Sequence, residues 1–190
     1  AVSAASSLIR LAQDDGAPSL GIAAWRLTLA ALVLTPFTWL RHRAELRRIS
    51  LLSLLLAVGS GAFLALHFAT WVTSLAYTSV INAVALVNLH PILVALASPL
   101  LLHERLLRNT WIGLGLALFG SAIISLTGGA GTAPIHSTPL LGDGLALLGA
   151  VGTAGYFLIG RRVRASVGLV PYIWLTYTSA AVILLILCLF

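Results

Sequence analysis

The chain has 190 residues, of which 59% are hydrophobic and only 8% charged, with a net charge of +6 and a pI near 10.8. Soluble domains carry roughly a quarter charged residues, so water is excluded as the main solvent and the lipid bilayer takes its place. In a soluble domain the positive balance would point to nucleic acid, but here it sits in short segments between apolar runs and reads as membrane topology, with no nucleic-acid partner.

The opening apolar run, Ala1 to Ala12, would rise only about 18 Å as a helix, so the chain is expected to begin inside a partial first span over 1–13. It shows neither a charged n-region nor a small-residue cleavage site, and no signal peptide is read. The second span, 19–40, carries Arg26 some six residues inside its outer end. A cation there can bind an anionic solute group, snorkel outward, or pair with Asp14 or Asp15. In the third span, 51–75, Ser60, His67 and Ser74 recur at intervals of seven with Trp71 four after His67, forming one stripe. This stripe is expected to form a cavity wall, with His67 hydrogen-bonding a solute and Trp71 packing on it. The alternative is interhelical hydrogen bonding plus an interfacial tryptophan.

The fourth span, 79–102, holds Asn82, Asn88, His90 and Pro91. Pro91 is expected to remove the hydrogen bond to the Val87 carbonyl and kink the helix, leaving an acceptor that Asn88, His90 or water must satisfy. At 100° per residue Asn82 and His90 lie about 80° apart, whereas Asn88 is about 160° from His90, so the three cannot face one solute. His90 and Asn82 are assigned to the pocket and Asn88 to structure. Glu104 and Arg105 close this span as an interfacial pair or a gate contact. The fifth span, 110–127, and the sixth, 141–160, place small residues every fourth position (Gly113, Ala117, Ser121; Gly142, Ala146, Ala150, Ala154), which reads as packing between helices or between protomers of a homo-oligomer. Tyr156 on the sixth span is a further pocket candidate. The seventh, 169–190, carries Trp174, assigned to the aromatic belt, and the single Cys188, which supports neither a disulfide nor a metal site.

The connectors alternate in charge. Those after the second, fourth and sixth spans hold nine of the eleven arginines, while the others carry Asp14, Asp15 and Asp143. The arginine-rich side is expected to be cytoplasmic, which places the N-terminus there in an inner or plasma membrane. The longest connector, 128–140, is rich in glycine and is the expected boundary between two units, 1–127 and 141–190. Sliding the sequence on itself at an offset of 149 aligns Ala1 with Ala150, Leu20 with Leu169 and Trp25 with Trp174. Five spans separate the copies, and an odd number inverts the second, which is an architecture of solute transporters.

Particular segments also carry a family resemblance. Leu66-His67-Phe68-Ala69-Thr70-Trp71, Ala76-Tyr77-Thr78-Ser79, the His90-Pro91-Ile92 run through Leu102-His103-Glu104-Arg105-Leu106, Ala24-Trp25-Arg26-Leu27, Gly142-Asp143 and Gly160-Arg161-Arg162 resemble the EamA domain of the drug/metabolite transporter superfamily. That resemblance implies an all-α bundle of ten helices in two inverted five-helix units. It also implies alternating-access transport of metabolites, amino acids or toxic compounds, with no catalysis and no cofactor. This chain is expected to hold the first unit and the opening of the second, with helices eight to ten completing the cavity.

Two rival classes are weighed against this. An intramembrane enzyme lacks support: no Gly-x-Ser-Gly or His-Glu-x-x-His occurs, and His67 with His90 is an incomplete metal site. A non-transporting assembly subunit fits the small-residue stripes but leaves the inverted repeat unexplained.

Overall fold

The computed structural model describes residues 2–101, 107–127, 135–136 and 138–189. Their elements are all helices: α1 (Val2–Asp14), α2 (Ser19–Leu46), α3 (Leu51–Tyr77), α4 (Val80–Val87), α5 (His90–Leu101), α6 (Arg108–Thr127), α7 (Pro139–Val163) and α8 (Leu169–Leu187). Among the described residues α2, α3, α4 with α5, α7 and α8 are each long and apolar enough to cross a membrane. The fold is the all-α polytopic bundle that composition and periodicity predict.

Local chemistry sets the helix boundaries. Ser50 and Ser79 precede α3 and α4, and each hydroxyl accepts a hydrogen bond at 3.2 Å from the N–H three residues on. The helix α2 runs six residues past its expected end, so Arg41 and Arg43 belong to the helix rather than to a connector. The chain need not leave the helix where the apolar run stops, since long cationic side chains reach the interface and suit a helix C-terminus. Arg161 and Arg162 lie likewise in the last turn of α7.

The interruption of the fourth span falls at Asn88 and Leu89, just before the expected proline, and Pro91 sits in the first turn of α5 where a missing N–H is harmless. The His90 ring nitrogen Nδ1 lies 3.1 Å from the Val87 carbonyl oxygen, so the imidazole satisfies the acceptor that the break exposes. Asn88 is exposed.

Packing centres on α3, which lies along α7 and α8, while α8 also packs on α2 and α7 meets both α4 and α5. Backbones come unusually close because α7 turns its small residues inward. A Cβ on Gly152 would stand 2.7 Å from the His67 nitrogen and 2.8 Å from the Phe63 carbonyl oxygen; one on Gly142 would stand 2.7 Å from the Thr78 nitrogen. Only glycine allows that approach. The small stripe of the sixth span is thus an interhelical seam.

Contacts at the helix ends sort by charge. At one end Thr78 donates to Asp143 at 2.7 Å, the His136 N–H to the Ala76 carbonyl at 3.1 Å, and Gln13 Nε2 to the Val72 carbonyl at 2.8 Å. Arg10, 4% exposed, donates to the Leu75 carbonyl and pairs with Asp14 at 3.3 Å. At the arginine-rich end the Gly168 N–H donates to Glu45 at 2.6 Å, and the Ser53 and Ser166 hydroxyls lie 3.3 Å apart. Glu104 and Arg105, and most of the 128–140 connector, lie outside the described residues.

Candidate functional site

The α3 stripe faces α7 and α8; Ser60 and His67 meet partners there at two depths, whereas Ser74 donates to the Trp71 carbonyl of its own helix at 2.7 Å. Toward the arginine-rich end, Ser60 Oγ and Tyr172 Oη lie 2.6 Å apart, so one donates to the other, and the Tyr156 carbonyl oxygen, 3.3 and 3.4 Å from them, accepts the remaining proton. The Tyr156 ring lies 6.2 Å from that of Tyr172 and nearly parallel to it. These rings line a small cavity of about 90 Å³ together with Gly160 and Arg164. The Tyr156 ring also meets that of Phe157, 5.1 Å between centroids.

Two turns further along α3, His67 Nδ1 lies 2.7 Å from Thr153 Oγ1 and 3.0 Å from the Gly149 carbonyl oxygen, while Thr153 Oγ1 is itself 3.0 Å from that carbonyl. Placing the imidazole proton on Nδ1 lets Thr153 accept it and pass its own proton to Gly149, so all three groups are satisfied. The other nitrogen, Nε2, is then a bare acceptor with no hydrogen bond among the described residues. The ring is stacked on Trp71, 5.7 Å between centroids and 5° between planes, and meets the edge of Phe68 at 4.9 Å. Trp71 is 4% exposed, and its indole N–H has no acceptor among the described residues.

Arg26 reaches this group from α2. Its guanidinium carbon lies 5.3 Å from the Phe68 ring centroid and 6.0 Å from that of Trp71. It has no acidic partner among the described residues: the ion pairs there join Arg10 to Asp14 and His42 to Glu45. His67 lies within electrostatic reach of both Arg26 and His90. The His90 ring also stacks at 5.5 Å on Phe157 of α7. Asn82, in the first turn of α4, has a buried side-chain oxygen without a donor. Trp174 donates to Thr35 at 2.9 Å and ties α8 to α2, whereas its offset partner Trp25 is 64% exposed.

The structure thus joins His67, Trp71 and Arg26 through Phe68, places His90 at the helix break within electrostatic reach of His67, and links Tyr156 to His90 through the Phe157 ring. Phe68, Gly149, Gly152 and Thr153 were not singled out from the sequence. The spacing of Gly149 and Thr153 one turn apart, flanking the small-residue stripe of the sixth span, is the signal available for that pair.

A bundle of membrane-spanning helices, with one helix broken in mid-span and aromatic, imidazole and guanidinium groups clustered between helices, defines a polytopic membrane protein with a candidate solute site. Residues 1–126 match the model of the EamA-like transporter family. The chain belongs to that family, as the resemblance in its motifs implies. It is similar to the uncharacterized transporter YyaM of Bacillus subtilis (strain 168), 30% identical over 144 residues that make up 74% of this chain and 46% of that protein. The chain therefore spans about half the length of this relative. No solved structure matches it.

Proposed function

We propose that the intact protein moves small organic solutes across the inner or plasma membrane by alternating access. The observation that supports this reading is the interruption at Asn88 and Leu89, which puts a two-residue turn in mid-span directly before His90, itself within electrostatic reach of His67. Irregular backbone at that depth is stable only where it is buried in protein or lines a cavity, and broken helices of this kind form transporter sites. In this reading the solute contacts His67 Nε2 and the aromatic faces beside it, with His90 and Asn82 at the far wall. Units 1–127 and 141–190 are related by inversion, and the arginine-rich ends face the cytoplasm.

The test is flux through the full-length protein in proteoliposomes, screened over metabolites, amino acids and drug-like compounds. His67→Ala and Trp71→Ala should each abolish most of the flux while the protein still inserts; normal rates in both would refute the site. Orientation is read in a Cys188→Ser background, where Asp15→Cys should react with an impermeant thiol reagent from outside and Arg47→Cys should not.

A further inference from the structure

Arg26 is the residue whose charge and surroundings disagree most. It stands seven residues into α2, about 10 Å from the start of that helix. The aromatic rings under its guanidinium, Phe68 and Trp71, lie nine and six residues before the end of α3, about 14 and 9 Å below it. The guanidinium of this exposed residue therefore lies beside the rings, at about the depth of its own helix position. A bare cation at that level of a bilayer is costly without a counter-charge or water. The acidic groups nearest in sequence do not supply one: Asp14 is engaged by Arg10, and Asp15 makes no ion pair among the described residues.

Around Arg26 the groups without a partner among the described residues include one acceptor, His67 Nε2, and one further donor. That donor is the Trp71 N–H, enclosed beside the guanidinium. Two donors, one of them cationic, call for an acceptor with negative charge. A groove of about 380 Å³ opens along α2, lined by Pro18, Trp25, Arg26 and Leu29 and not by Phe68 or Trp71, so the guanidinium can be reached from that side. Among the described residues no second arginine stands over Phe68 or Trp71. One guanidinium neutralises a single negative charge and presents a planar pair of N–H groups that matches a carboxylate, while the aromatic ledge accommodates an apolar body.

We infer that Arg26, on its ledge of Phe68 and Trp71, recognises the carboxylate of an amphipathic organic acid. The inference rests on the transporter reading above and names the solute class for that same site.

The experiment uses full-length protein in liposomes, with benzoate and phenylacetate as probes and their uncharged amides, benzamide and phenylacetamide, as matched controls. Ligand-induced thermal shift and flux are both measured. The acids should bind at least about tenfold more tightly than the amides, the scale of a charge-assisted hydrogen-bonded pair. Arg26→Gln should erase that preference, Arg26→Lys should keep part of it, and Trp71→Phe, which removes the N–H and keeps a ring, should weaken the acids several-fold. Equal binding of acids and amides, failure of both acids to bind, or a preference that survives Arg26→Gln overturns the inference. Flux of amides or cationic dyes with no acid bound overturns it and leaves the transporter reading standing. Acids held through Arg26 with no flux of any solute would sink the transporter reading and leave the inference intact.

Discussion

The seam between α3 and α7 makes Gly152 the most informative position for substitution. An alanine Cβ there would stand 2.7 Å from the His67 nitrogen, 2.8 Å from the Phe63 carbonyl oxygen and 3.0 Å from the His67 Cα, all backbone atoms of a neighbouring helix. None of them is a flexible tip that can swing aside. Ordinary contact needs about 3.4 Å or more, so the helices must part by about 0.7 Å, and overpacking of this kind costs about 1–3 kcal/mol. The same separation stretches the His67 contacts to Thr153 and Gly149, now 2.7 and 3.0 Å, and can forfeit about 1 kcal/mol for each bond lost. Gly144 on the same helix has nothing within 4 Å of its would-be Cβ. There the gain in helix propensity, up to about 1 kcal/mol, should act alone. Thermal unfolding of the full-length protein in detergent should therefore show Gly152→Ala melting several degrees lower and Gly144→Ala unchanged or slightly higher. If the two variants melt alike, the close approach of α3 and α7 is wrong.

Three further outcomes follow from particular contacts. His90→Ala leaves the Val87 carbonyl without its donor and should lower stability by about 1–2 kcal/mol, whereas Asn88→Ala, at an exposed position, should be nearly neutral; chemical denaturation of each variant measures both. Asp143→Ala removes the acceptor of Thr78 and should cost about 1–2 kcal/mol, most of which Asp143→Asn should restore because its amide oxygen still accepts. Glu45→Ala removes the carboxylate that holds the Gly168 N–H at the start of α8, so amide exchange at the first turn of α8 should quicken while that of α3 stays as it was.

Much of the fold was legible because the bilayer leaves few alternatives. A run of apolar residues between charged loops must be a helix, and the observed spans begin within a few residues of those expected. The ends were less legible where arginines followed the run, as in α2, because apolarity reports the hydrocarbon boundary while the helix continues through the headgroups. The break in the fourth span was expected at Pro91 and falls at Asn88 and Leu89, since a proline is tolerated in the first turn of the helix it opens.

The site was legible in its parts but not in its joints. His67, Trp71 and Arg26 stood out as polar or amphipathic groups in apolar runs. Their connection through Phe68, and the seating of His67 on Thr153 and Gly149, depends on a close approach of two helices far apart in sequence. Glycines in an apolar run do not declare which neighbour they admit. Arg10 was passed over because it lies near the end of the first span, yet it is buried and ties α1 to α3.

The glycine seam also bears on how the molecule can bend. Helices whose main chains touch cannot slide past one another without colliding, so α3 and α7 should travel as one stiff beam, although the proposed boundary at 128–140 would put them in different units. Any change of shape is then left to segments without such contact, and the hinge nearest to that beam is the two-residue gap between α4 and α5. The division of the chain by ancestry and its division by mechanics would run along different lines. A covalent staple across the beam, through Thr70→Cys and Gly149→Cys, should then leave its motion free, while one that bridges the gap should freeze it.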